Sequence, residues 1–197
     1  MTRLNVVNPN EATGKAQELL AGVQSKLGMT PNMMRVMANS PAVLDAYLKF
    51  SGAVAGGSLA AKTREKIALA VGQNNSCDYC VSAHSAIGKM VGLTADEVES
   101  ARRGQSSDAK EAAVLKLAGQ LVDKRGFATD DDLAAARDAG IDDAEIAEIV
   151  ANVALNLFTN YFNHVAQTEI DFPVAEPLAC DSEGKSCNNH EEACSVS

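Results

Sequence analysis

The sequence predicts an all-α protein, a single compact domain of about eight helices. Three observations carry this. Apolar residues recur at helical spacing almost throughout, no run alternates with a period of two, and the composition is rich in alanine, with aromatics at 4% and no Trp. Alanine is the strongest helix former, and strands favour the β-branched and aromatic residues in short supply here.

The elements follow in order. Residues 10–27 place Ala16, Leu19, Leu20, Val23 and Leu27 on one helical face. A turn at Gly28 to Pro31 leads to a short helix near Met33 to Met37. Ser40 before Pro41 starts the next helix, because proline fits the first turn, and Gly56-Gly57 ends it. Ser58 is read as the cap of a helix over 59–73, and Asn75-Ser76 as the opening of another that reaches about Val91. Thr94 with Glu97, Thr129 with Asp132 and Asp142 with Glu145 have capping-box spacing. A helix over about 108–124 presents Val114, Leu117, Ala118 and Leu121. The last, about 142–168, is apolar over most of its circumference from Ile149 to Phe162, which predicts burial. After Phe172-Pro173 the chain turns polar and acidic. The organisation expected is a domain over 1–172 and a flexible tail over 173–197.

Net charge is −9, from 26 acidic and 17 basic residues. Such a surface disfavours nucleic acid and anionic membrane as partners. No apolar run is long enough to span a bilayer, and the first residues lack a signal-peptide pattern. The expected compartment is therefore the cytoplasm. In that reducing setting, closely spaced cysteines are more often catalytic or metal-binding than structural disulfides.

The informative stretch runs from Arg64 to His84. Cys77 and Cys80 are three residues apart at the start of a predicted helix. At 100° per residue they lie about 60° apart, and His84 falls about 20° from Cys77, so all three share one face. A helix N-terminus stabilises thiolate, the reactive form, and favours Cys77 as the more acidic thiol. A Cys-x-x-Cys pair closes to a disulfide with little movement. His84, one turn beyond Cys80, is placed to take its proton. Antiparallel pairing with the preceding helix would bring Glu65 to His84 as the third member of a relay. Half of a zinc site, with His84 as third ligand, is an alternative for the same residues.

At these positions the chain resembles the carboxymuconolactone decarboxylase family, in its alkylhydroperoxidase AhpD-like branch. Glu65, eleven residues, Cys77, two residues, Cys80, three residues and His84 reproduce that branch's signature. Lys62 to Ala70 and Asn160 to His164 are also typical of it, and the resemblance covers about residues 30–172. It implies a helical domain with an active-site hairpin carrying the cysteine pair, assembled as a trimer or hexamer. It also implies a thiol peroxidase acting on hydrogen peroxide or organic hydroperoxides without cofactor or metal. Cys80 would attack the peroxide and Cys77 would resolve the sulfenic acid as a disulfide. Glu65 and His84 would relay the proton, and a lipoyl- or thioredoxin-like dithiol protein would restore the thiols. Tyr79 stands where the branch's best-known member has a further relay histidine. The alternatives are a decarboxylase acting on a small ring acid, and a non-catalytic thiol sensor or metal-binding protein.

Two features lie outside the signature. Asn156, Asn160 and His164 are one turn apart in the last helix, with Asn163 beside them. They are candidates for a pocket lining, a subunit interface or a buried hydrogen-bond network. In the tail, Cys180, Cys187, Cys194 and His190 match no metal-site spacing. A soft-metal or redox role and incidental thiols are the two readings there.

Overall fold

The structure is a computed structural model that describes residues 2–179. Among these, nine helices and no strand are found: α1 (Gly14–Leu27), α2 (Asn32–Met37), α3 (Pro41–Ala55), α4 (Ala61–Asn74), α5 (Asp78–Met90), α6 (Ala95–Arg102), α7 (Ala109–Asp123), α8 (Asp130–Asp138) and α9 (Asp143–Ala166). The expected eight become nine because the short pieces behind the Thr94 and Thr129 caps are both separate helices. All three capping boxes form, each with its side-chain oxygen accepting from the third backbone N–H of its helix.

Helix α4 is the centre of the molecule. Every residue from Lys66 to Gln73 is buried, and α5, α6, α7 and α9 all pack on it. One apolar core joins α4 to α6, α7, α8 and α9 through Ile67, Leu69, Val98, Leu117 and Ile149. A second core joins α1, α2 and α3 to the start of α5, and it contains Cys77, Tyr79 and Cys80. The cysteines therefore sit at the seam where the two cores meet α4.

Ser58 does not cap α4. Its N–H and hydroxyl donate to Glu148 of α9, at 2.7 and 2.9 Å, and the helix starts after Ala60. Glu148 also accepts from the Leu59 N–H, so a carboxylate closes the turn from outside.

The last helix departs from its expected burial. Its inward side carries Ile149 and Val153 but also Asn152, Asn156, Asn160 and Asn163. Its outer side exposes Val150, Phe158, Tyr161 and Val165. The apolar residues around its circumference thus divide between a mixed inner face and an uncovered outer one.

Residues 173–179, placed by composition in the tail, run along α5 and α6. The Ala175 N–H donates to Ser82 Oγ, and Arg102 and Arg103 donate to the carbonyls of Glu176 and Ala179. The tail residues Cys180, Cys187, His190 and Cys194 lie outside the described residues. Among the described residues no helix is long and apolar enough to cross a membrane.

Candidate active site

The connection between α4 and α5 builds the site. After Asn74 the chain closes α4 with a Schellman motif. The Ser76 N–H donates to the Gln73 carbonyl (3.0 Å), and the Cys77 N–H donates to the Gly72 carbonyl (2.9 Å). Ser76 takes the left-handed conformation that this motif demands, with φ 54°. Cys77 is then both the last residue of that motif and the N-cap of α5, so α5 starts at Asp78, three residues later than the spacing predicts.

The turn folds α5 back along α4. A Cβ built on Gly72 would stand 3.5 Å from the Cys80 Cβ, and further along the pair Glu65 Oε2 lies 2.8 Å from His84 Nδ1. Both cysteines are deeply buried, at 1% and 2% exposure, and their sulfurs are 2.7 Å apart with Cys77 donating to Cys80.

This arrangement separates the two thiols. The Cys80 thiol is lowered to about 7, first because the Cys77 thiol donates to it. Burial opposes this, and the charge of His84 and the amides of Asn163 and Asn160 reinforce it. The Cys77 thiol is pushed up, because its S–H donates a hydrogen bond to Cys80 and it is itself buried. The helix-terminus expectation of a more acidic Cys77 is overturned. Cys77 caps the helix from outside without a side-chain cap bond, and its S–H is engaged as the donor to its neighbour's sulfur. His84 is held above the ordinary imidazole range: burial works against its charge, but the Glu65 carboxylate outweighs that.

A cavity of about 320 Å³ opens onto this cluster. Cys80, His84 and Glu65 line it together, Met33, Met34 and Phe172 belong to its apolar lining, and Arg64 is its permanent cation. Tyr79 also lines it, but its hydroxyl is committed elsewhere. It accepts from the Met33 N–H (3.2 Å) and donates to Asp171 (2.9 Å), while its ring packs edge-on to Phe172. Burial first, then the Asp171 charge, hold that hydroxyl in its protonated form. Tyr79 therefore ties α5 to α2 and to the segment after α9, and its hydroxyl is bonded to neither His84 nor Glu65.

The asparagines of α9 divide differently from the expected stripe. Asn163 Nδ2 donates to Cys80 Sγ at 3.3 Å and to Met33 Sδ at the same distance. Asn160 is fully buried and accepts from Asn75 Nδ2 (2.8 Å). Neither lies on the cavity wall, whereas Asn152 and Asn156 do. His164 does not line the cavity: it is half-buried, one position past the inward-facing Asn163.

Tyr47 and Ser51 of α3 also line the cavity, without any signal in the sequence near the cysteines. The Tyr47 hydroxyl is pushed up to about 12 by burial, then by the charges of Cys80 and Glu65. Among the described residues no three His, Cys, Asp or Glu side chains are grouped to hold a metal ion.

Residues 41–123 match the sequence model of the carboxymuconolactone decarboxylase family. This segment resembles a carboxymuconolactone decarboxylase family domain. It runs from α3 to the end of α7 and contains Glu65, Cys77, Cys80 and His84. No curated protein matches the chain in sequence. Among solved structures, a peroxidase-related protein from Silicibacter sp. TM1040 superposes with a TM-score of 0.75 at 23% identity, covering 85% of this chain and 89% of that one. A peroxidase-related protein from Ralstonia eutropha JMP134, described as an alkylhydroperoxidase AhpD core, gives 0.76 at 24% identity over 86% and 92%. A variant of the debrominase Bmp8 solved with 2,3,4-tribromopyrrole gives 0.74 at 19% identity over 87% and 92%. At these identities the likeness is one of fold: the matched segment and its surroundings form an AhpD-like helical core.

Proposed function

We propose that the protein is a thiol peroxidase that reduces hydroperoxides through a dithiol–disulfide cycle of Cys80 and Cys77. The observation that carries this reading is the asymmetry of the pair. The sulfur on the cavity wall is the one held toward thiolate, and a protonated thiol waits 2.7 Å behind it.

The cycle balances with the residues at hand. The Cys80 thiolate attacks the terminal peroxide oxygen, so that an S–O bond forms and the O–O bond breaks. The alkoxide leaves with the electron pair and takes a proton from His84, whose charge Glu65 sustains. Cys77 then attacks the Cys80 sulfenic acid, closing the disulfide and releasing water. A dithiol reductant, of the lipoyl- or thioredoxin-like kind, returns both sulfurs to thiols and leaves as its own disulfide. The reading includes assembly of several copies, a trimer or hexamer, which would cover the apolar outer side of α9.

The test is peroxide consumption by the purified chain with a dithiol present, with free thiols counted before and after one equivalent of peroxide. Loss of two thiols per chain and sustained consumption support the reading. Loss of two thiols without turnover supports a redox sensor instead. The debrominase neighbour supports a second reading, thiol-driven reduction of a halogenated ring, because the cavity is apolar enough for one. Release of bromide from a brominated pyrrole, with no consumption of peroxide, would favour it.

A further inference from the structure

Off the cavity wall, Asn163 is bonded to Cys80, Asn160 lies one turn before it on α9, and Asn75 is bonded to Asn160. Asn163 shares one amide hydrogen-bond donor group between Cys80 Sγ and Met33 Sδ, at 3.3 Å each. Asn160 is fully buried. Its carbonyl oxygen is taken by Asn75, and its Nδ2 has no hydrogen-bond partner. A buried donor left unmade costs about 1–3 kcal/mol, so such a group calls for a reason. Asn75 is the C-cap of α4, immediately before the turn that positions Cys77.

A thiol and a thiolate differ in what they accept. A neutral sulfur is a weak acceptor, whereas a thiolate is charged, and hydrogen bonds to charged groups are about twice as strong. Met33 is a neutral thioether and cannot gain charge. When Cys80 ionises, the shared Asn163 donor therefore shifts toward Cys80, and the unused Asn160 donor gains an anion nearby. Away from the cavity the sulfur thus meets the Cys77 thiol and the Asn163 amide, with the unpaired Asn160 donor one turn earlier on the same helix.

We infer that Asn163 and Asn160 form an amide cradle that holds the Cys80 thiolate and turns its open side to the cavity, with Asn75 as the positioning residue that orients Asn160. This rests on the thiol-peroxidase reading for its purpose but not for its test. The amides' contribution to lowering the Cys80 thiol agrees with it.

The experiment is the rate of Cys80 alkylation by iodoacetamide across pH in the full-length chain. Cys80 is followed by peptide mass, so that the tail thiols do not interfere. Asn163→Leu removes the bonded donor, and its midpoint should rise by about one to two pH units. Asn75→Ala lies outside the buried face of α9 and leaves Asn160 in place but unoriented. Its midpoint should rise by several tenths of a unit, with Tm held. If Asn163→Leu does not fold, Asn75→Ala decides alone. An unchanged midpoint in whichever of these variants folds overturns the cradle. Alkylation uses no peroxide. A wild-type chain that lacks peroxide turnover but shows the midpoint shifts would therefore overturn the peroxidase reading and leave the cradle standing.

Discussion

The Nδ1 atom of His84 stands 2.8 Å from Oε2 of Glu65, joining two half-buried side chains across α4 and α5. Because Nδ1 is engaged by the carboxylate, Nε2 is the ring atom left to exchange a proton in the cavity. The bond also favours the charged form of the imidazole beside Cys80, against its burial.

From this bond a pH effect follows. Removing the carboxylate charge with Glu65→Gln takes away what raises His84, so the ring loses its proton at lower pH. Cys80 then loses a neighbouring positive charge, and its midpoint moves upward from about 7. Wild-type attack on peroxide should rise with pH through about 7. In Glu65→Gln the rise should come later, and turnover at pH 7 should fall by about 10²-fold or more. Stopped-flow peroxide consumption from pH 5 to 9 measures this, and superimposable wild-type and variant profiles would refute it.

The two cysteines should fail differently. Cys80→Ser should abolish peroxide consumption, because the sulfur on the cavity wall is gone. Cys77→Ser should still consume one equivalent and accumulate a sulfenic acid, seen as a gain of one oxygen by intact mass. The opposite pattern would reverse the assignment.

Gly57 tests the carboxylate that closes the turn before α4. A Cβ there would stand 2.5 Å from Glu148 Oε2. Gly57→Ala must therefore push Glu148 off the Ser58 and Leu59 N–H groups, at a loss of about 1–3 kcal/mol. In a Glu148→Ala background the same change should add little, because the group it collides with is absent. Urea unfolding of the two singles and the double measures the coupling, and strictly additive losses would contradict it.

Lys66 is a buried cation on the far side of α4 from the cavity. Its Nζ lies 2.5 Å from Glu111 Oε2 on α7 and 3.2 Å from Glu97 Oε1 on α6. Lys66→Ala should destabilise by about 1–3 kcal/mol. That is less than for a fully enclosed pair, since both glutamates reach solvent. Thermal unfolding reads the loss, and a Tm within one degree of wild type would show that the tie contributes nothing.

Much of the fold was legible in the chain because helices are local. The capping oxygens of Thr94, Thr129 and Asp142 and the acceptor-bearing third residues lie within one turn of each other, so spacing alone specifies them. The same locality brought out Cys77, Cys80 and His84, while Glu65 depended on the family resemblance. Where an element's end is set from outside it, spacing misleads. Ser58 has the chemistry of a cap, but Glu148, ninety residues away, takes its donors.

What the sequence determined by itself is the all-α class, the cysteine pair and the histidine beyond it, because each is a pattern within one or two turns of chain. Only the tertiary structure decided which thiol is shifted toward thiolate and which asparagine donates to it. Those depend on donors that α9 and the α4–α5 turn bring from distant parts of the chain, and the charge of a buried sulfur is set by the partners around it rather than by its neighbours in sequence. Asn163, met at 3.3 Å from Cys80, is the example: on the chain it is one more polar residue in an apolar helix, beside a His164 that does not line the cavity.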